Sequence, residues 1–206
     1  MLDNDFNAGI KFLERDKYLG PIIRKTELPS FPIEKNYFQS LAKYIIYQQL
    51  SIIAAQKIYE RFIFLFNNHK ITPKNFKKKS VASLRNIGIS KSKITYINEV
   101  ADNFINNHSF LCDIHNLKNE DIINILISIK GVGPWTANMF LMFTMQRLDI
   151  FAVNDLGIKK GIQKLFKLHD LPSNDFMLKV SNKWAPYRSI ACLYLWKIID
   201  GNNFEW

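Results

Sequence analysis

An all-α fold is what this 206-residue chain predicts, on three observations. Apolar residues recur at intervals of three and four along almost every segment, the signature of amphipathic helices. Period-two alternation is nearly absent, its best instance being DIFAV at 149–153. With 48% hydrophobic residues the chain can bury one substantial core, or two smaller lobes sharing one connection. No internal repeat or low-complexity linker interrupts it.

In chain order, MLDNDFNAGIKFLERDKYLG at 1–20 mixes charged with apolar residues and lacks the continuous apolar stretch of a signal peptide. The segment NYFQSLAKYIIYQQLSIIAAQKIYERFIFLF at 36–66 has neither glycine nor proline. Leu41, Tyr44, Ile45, Gln48 and Ile52 recur in it at helical intervals, so it reads as one long helix or two abutting ones. Further on, Pro73 and Ser80 mark the starts of short helices, Gly88 a turn and Ser90 another cap. NLKNEDIINILISI at 116–129 is again amphipathic. After a glycine turn, the run from Pro134 to Arg147 reads as a helix of about 14 residues, roughly 21 Å long. DLGIKKGIQKLF at 155–166 and FMLKVSNKWAPYRSIACLYLWKII at 176–199 supply the remaining helices.

Lysine and arginine outnumber aspartate and glutamate by 28 to 18, giving a net charge of +10. That excess fits a polyanion-binding surface, and equally a general enrichment in lysine, asparagine and isoleucine. The run KNFKKK at 74–79 reads as a solvated loop. Cys112 and Cys192 lie far apart with no metal-ligand spacing, which argues for two buried thiols rather than a disulfide framework, zinc site or iron–sulfur cluster. Charged residues break the best apolar runs, so no membrane span is expected. The expected location is the cytoplasm or nucleoid.

The stretch IKGVGPW at 129–135 carries the chemistry. Gly131 and Gly133 allow positive φ and close approach, and Pro134 suits the first turn of a helix because its missing N–H would be an orphan. The product is a helix–hairpin–helix, whose backbone amides of Gly131, Val132, Gly133 and Thr136 can close on a phosphate oxygen at a positively polarised helix start. An ordinary corner packing two helices fits the same residues. Farther along, Asp155 follows Asn154 at the start of another helix, where a cap accounts for it and where a carboxylate is also held ionised.

Read together, IKGVGPWTANMFLMFTMQRLDIFAVNDLGIKKG at 129–161 resembles the helix–hairpin–helix DNA glycosylase superfamily that includes endonuclease III, and within it the alkylpurine branch of 3-methyladenine DNA glycosylases. YIIYQQLSIIAAQKIYERF at 44–62, LRNIGISKSKITYINEVA at 84–101 and WAPYRSIACLYLW at 184–196 match the same branch, so the resemblance covers most of the chain from Tyr37 onward. It implies a two-lobed, all-α glycosylase fold. Residues 37–147 would form one continuous lobe ending in the hairpin, and residues 1–36 with 148–206 the other, with the active-site cleft between them.

The resemblance also implies roles. Asp155 matches the catalytic aspartate, whose carboxylate would stabilise positive charge developing on the sugar. Asp149 matches a recurrent acidic position with a structural role. Trp135 and Trp196 fall where relatives place pocket tryptophans, with a core aromatic as the alternative for each. Tyr47 is a further wall, and Met139 stands where some relatives have a stacking tyrosine. Gln49 falls where a side chain fills the gap left by the flipped nucleotide, although interhelical hydrogen bonding by Gln48 or Gln49 fits as well. Strand-nicking relatives carry a lysine just after the hairpin, where this chain has Trp135. The implied protein is therefore a monomeric, monofunctional glycosylase acting on alkylated double-stranded DNA without a cofactor. A structural monovalent cation at the hairpin carbonyls is compatible with that reading, as is a non-catalytic protein that binds DNA or senses lesions.

Overall fold

The computed structural model describes residues 2–27, 36–66, 70–106 and 114–201. Cys112 lies outside them. Within the described residues every regular element is a helix, in line with the predicted class. Backbone contacts divide the chain into two compact units, Glu34–Met145 and Met1–Ile33 with Gln146–Trp206.

The unit Glu34–Met145 is built from helices whose starts are written in the sequence. To place them in chain order, α1 (Leu2–Leu13) and α2 (Gly20–Ile23) come first and belong to the other unit. Here α3 (Tyr37–Tyr47) begins where the Asn36 side chain accepts from the N–H of Gln39, and α4 (Ile52–Phe64) where Ser51 accepts from Ala54. The two abut across a turn in which Gln49 takes φ +56°. Thr72 and Asn75 form a reciprocal capping box with Pro73 at the first position of α5 (Pro73–Lys77), satisfying two orphan donors at once. Ser80 caps α6 (Val81–Asn86), Gly88 turns the chain at φ +102°, and Ser90 Oγ accepts from Lys93 N at the start of α7 (Lys91–Asn106). Phe38, Phe62, Phe76 and Phe104 meet edge to face between these helices. Glu120 and Asp121 sit in the first turn of α8 (Asn119–Ile127), where the helix dipole favours them.

The helix after the glycine turn is shorter than expected. An α-helical stretch, α9 (Pro134–Met139), passes into a π turn over Phe140–Thr144, in which Met145 N–H donates to Phe140 O. The wider turn lets Phe140, Leu141, Met142, Phe143 and Thr144 all be buried in succession. Periodicity cannot foresee it, because a run that is apolar on every side shows no phase.

In the other unit, α10 (Leu156–Phe166) and α12 (Arg188–Asp200) form the core pair, joined through α11 (Asn174–Ser181). Their approach is close because of two glycines one turn apart. A Cβ on Gly161 would lie 2.6 Å from Leu195 O, and one on Gly157 would lie 2.7 Å from Trp196 Cδ1. Gly9 of α1 does the same against Ile190. DIFAV forms no strand. Ser189 at the head of α12 takes up its polar groups instead, donating N–H to Leu148 O and accepting Ile150 N–H on Oγ, both at 2.9 Å. Asp149 grips Arg188 through two hydrogen bonds of 2.6 and 2.9 Å, a structural use of that carboxylate.

Candidate active site

The hairpin belongs to the unit Glu34–Met145. Gly131 has φ +93°, and an added Cβ would fall 2.1 Å from the Tyr96 ring, so the fold itself requires glycine there. Gly133 differs from expectation. Its φ of −96° is open to any residue, and a Cβ built on it meets nothing within 4 Å. Among the described residues no acceptor is placed for the N–H of Gly131, Gly133 or Thr136, and of these Gly131 and Gly133 are partly exposed. Val132 corrects the sequence reading: its side chain is buried and its N–H donates to Ile129 O at 3.0 Å. Thr136 is 1% exposed and its hydroxyl accepts from Gln48 at 2.9 Å.

Trp135 is half-buried in the first turn of α9, and Met139 is fully buried. Tyr47, at the end of α3, is half-buried with its ring against Tyr59. The Lys43 ammonium stands 5.7 Å from the Tyr47 ring and 5.6 Å from that of Tyr59. Burial first, and then the charge of Glu60, push the Tyr47 hydroxyl up to about 12, so the ring is a neutral, electron-rich face. Of the two neighbouring glutamines, Gln48 makes the interhelical hydrogen bonds and Gln49 is exposed.

The candidate catalytic carboxylate belongs to the unit of the chain ends. Asp155 is the N-cap of α10, 9% exposed, and Oδ1 accepts from Ile158 N at 2.8 Å. The same oxygen accepts from the indole Nε1 of Trp196, also at 2.8 Å. Trp196 is 3% exposed on α12, and Gly157 leaves the space its ring occupies. Two donors on one oxygen fix the carboxylate, and its charge bears on its neighbours. Nearby acidic groups register that charge: burial and then Asp155 hold Asp200 above the usual carboxylate range, and burial, with Asp155 adding, takes the Cys192 thiol up to about 12. The Trp196–Asp155 bond and the role of Gly157 have no sequence signal beyond the i, i+4 spacing of glycines in GIKKG.

Among the described residues no group of three or more histidine, cysteine, aspartate or glutamate side chains gathers to hold a metal ion, and no helix is long and apolar enough to cross a membrane. At the hairpin, Ile129 O accepts from Val132 N and Gly131 O from Gln48 Nε2.

A glycine hairpin with open amides, and a capped carboxylate held by an indole, define a helix–hairpin–helix protein built to work on nucleic acid. The family model described as HhH-GPD superfamily base excision DNA repair protein matches residues 42–186. The chain belongs to that superfamily, and within it to the branch whose members carry the name DNA-3-methyladenine glycosylase. A putative DNA-3-methyladenine glycosylase of Bacillus subtilis is 32% identical over 82% of this chain, which spans 61% of that protein's length. The DNA-3-methyladenine glycosylase of Saccharomyces cerevisiae is 30% identical, the match covering 98% of this chain and 82% of the yeast protein. Among solved structures, the 3-methyladenine DNA glycosylase of Schizosaccharomyces pombe, in complex with abasic DNA, superposes with a TM-score of 0.86 at 29% identity, covering 97% of this chain and 100% of that one.

Proposed function

We propose that this chain is a monofunctional DNA glycosylase that flips N-alkylated purines such as 3-methyladenine out of double-stranded DNA and hydrolyses the N-glycosidic bond, leaving an abasic site. The observation that carries the reading is the Asp155 carboxylate, fixed at the head of α10 by Ile158 N and Trp196 Nε1. As the C1′–N bond breaks, its electron pair leaves with the base and positive charge grows on the sugar, where a preorganised carboxylate stabilises it. Water then adds to C1′ and gives its proton to Asp155 or to solvent. An alkylated purine already carries positive charge, so its departure needs no protonation by a dedicated acid.

In this reading the protein acts as a monomer. The amides of Gly131 and Gly133 hold a phosphate, with Thr136 behind them in the first turn of α9, which positions the duplex without reading sequence. Trp135, Tyr47 and Trp196 line the space for the base, where an electron-poor ring gains stacking and cation–π attraction. Gln49 fills the gap in the stack. The aromatic ring of Trp135 stands where a strand-nicking enzyme would need an amine, so borohydride treatment of protein and damaged duplex is expected to trap no covalent adduct. Recovery of such an adduct would assign the protein to the strand-nicking class.

Gly133 gives a separate test of the phosphate grip. Gly133→Ala is expected to leave the melting temperature within about 1 °C of wild type, since the new methyl meets no protein atom and a surface change of this kind costs under ~0.5 kcal/mol. Duplex affinity should fall about tenfold and the salt dependence should flatten, because one phosphate contact is lost. A variant with unaltered affinity would remove the hairpin from the DNA interface. Release of free 3-methyladenine from methylated duplex by the wild-type protein tests the reading as a whole, and salt-sensitive binding without base release would leave only a DNA-binding protein.

A further inference from the structure

Gln48 stands in the turn between α3 and α4, half-buried. Its side-chain nitrogen Nε2 donates to Gly131 O and to Thr136 Oγ1, each at 2.9 Å. One amide group thus joins the carbonyl of the left-handed hairpin glycine to the first turn of α9. From α7, Lys93 Nζ donates to Ile46 O and Gln48 O, both at 2.8 Å, which satisfies carbonyls that the end of α3 leaves without helical partners. Burial among these groups lowers the Lys93 pKa from its ordinary value, while the two carbonyls give the ammonium its partners.

The residues that follow are held in an unfavourable shape. Gln49 has φ +56°, a conformation that costs a non-glycine residue energy and persists only where its surroundings impose it. Gln49 is exposed, and so is Leu50, at 41%. Ser51 then starts α4. The tip is therefore Gln49 and Leu50, followed by Ser51, which is exposed as well. Its base is fastened on one side to the hairpin and on the other to α7.

We propose that Gln48 is a positioning residue that makes the exposed Gln49–Leu50 tip and the phosphate-holding hairpin one rigid piece, so that gripping the backbone and entering the base stack are a single act. The inference rests on the DNA-binding reading given above and extends it, since Gln48 itself would touch no nucleotide. Unstacking a base from a duplex carries a real energetic cost. A tip free to relax would spend that energy on its own ordering instead.

The test uses the full chain and a duplex containing a tetrahydrofuran abasic-site analogue flanked by 2-aminopurine. The 2-aminopurine fluorescence rises when its stacking is broken. Wild-type protein is expected to raise the fluorescence on binding. Gln48→Met, similar in length but without a donor, is expected to bind with an unchanged slope of log affinity against log salt and to give less than a third of the rise. Adding Gln49→Ala to Gln48→Met should cause no further loss, the mark of two residues acting as one unit. A wild-type rise retained in Gln48→Met, effects that add in the double variant, or no rise with wild-type protein would each overturn the proposal. Should Gln48→Met fail to fold, Lys93→Met loosens the same turn from α7 and must reproduce the lost fluorescence at unchanged salt slope; a normal rise there also overturns it. Base release from methylated DNA is measured separately. Its absence alongside the expected fluorescence pattern would sink the glycosylase reading and leave the coupling standing.

Discussion

Asp155→Asn is expected to bind alkylated duplex about as tightly as wild type and to release base roughly 10²–10³-fold more slowly, the loss typical of removing one preorganised electrostatic stabiliser. The substitution isolates charge from structure unusually well. Asparagine keeps a side-chain oxygen able to accept from Ile158 N and Trp196 Nε1, the two bonds that fix the aspartate. It is also as good an N-cap as aspartate, so the head of α10 and the melting temperature should hold. What disappears is the negative charge that answers the developing sugar cation. Single-turnover release of 3-methyladenine reads the effect, and a rate within about twofold of wild type, well under ~1 kcal/mol of barrier, would remove Asp155 from the chemistry.

Gly161→Val is expected to give the largest loss of stability. Its first added carbon would sit 2.6 Å from Leu195 O, a backbone atom that cannot swing aside, and Gly161 is buried in the contact between α10 and α12. Overpacking of this kind costs about 1–3 kcal/mol, and a β-branched residue in a helix adds a few tenths. For a chain of this size that lowers the melting temperature by roughly 4–10 °C. The damage should not stop at stability. Leu195 precedes Trp196, so helices forced apart at Gly161 carry the indole away from Asp155, and base release should slow about tenfold or more, equivalent to over ~1.4 kcal/mol of barrier. Thermal denaturation and single-turnover assays below the transition separate the two effects. A variant that melts lower but turns over normally would show that the Trp196–Asp155 bond does not set the rate.

The helix starts at Ser80, Ser90 and Asp155 were legible because their signals are chemical and local, each placing a side-chain oxygen where helix amides lack partners; Asn36, Ser51, Thr72 and Ser173 do the same in the structure. The hairpin and Asp155 were legible for a similar reason, since a turn without Cβ atoms and a capping carboxylate announce themselves one residue at a time. The inward turn of Val132 and the burial of the Thr136 hydroxyl were not, because they depend on which face of the hairpin meets Gln48 and Tyr96, residues distant in sequence. Trp196 shows the same limit. Its spacing marked an aromatic on a buried helix, whereas its hydrogen bond to Asp155 exists only because glycines at 157 and 161 bring two helices unusually close. DIFAV alternated like a strand, but polar groups at its start were claimed by Ser189 and Arg188 from 39 positions away.

The π turn at Phe140–Thr144 has a consequence for how this chain tolerates changes of length. A π turn holds one residue more than an α turn would, and its hydrogen bond spans five residues instead of four. It is what an α-helix looks like after accepting a single inserted residue without disturbing the faces on either side. Removing one residue here would let Met145 bond in the α pattern and leave the helix regular. The faces on either side would keep their phase, because the wide turn is what absorbs the extra residue. The chain reaches Asp155 from Gly133 in 22 steps, and one of those steps is stored as extra girth in a buried turn, where the chain can gain or lose a residue without turning its helical faces.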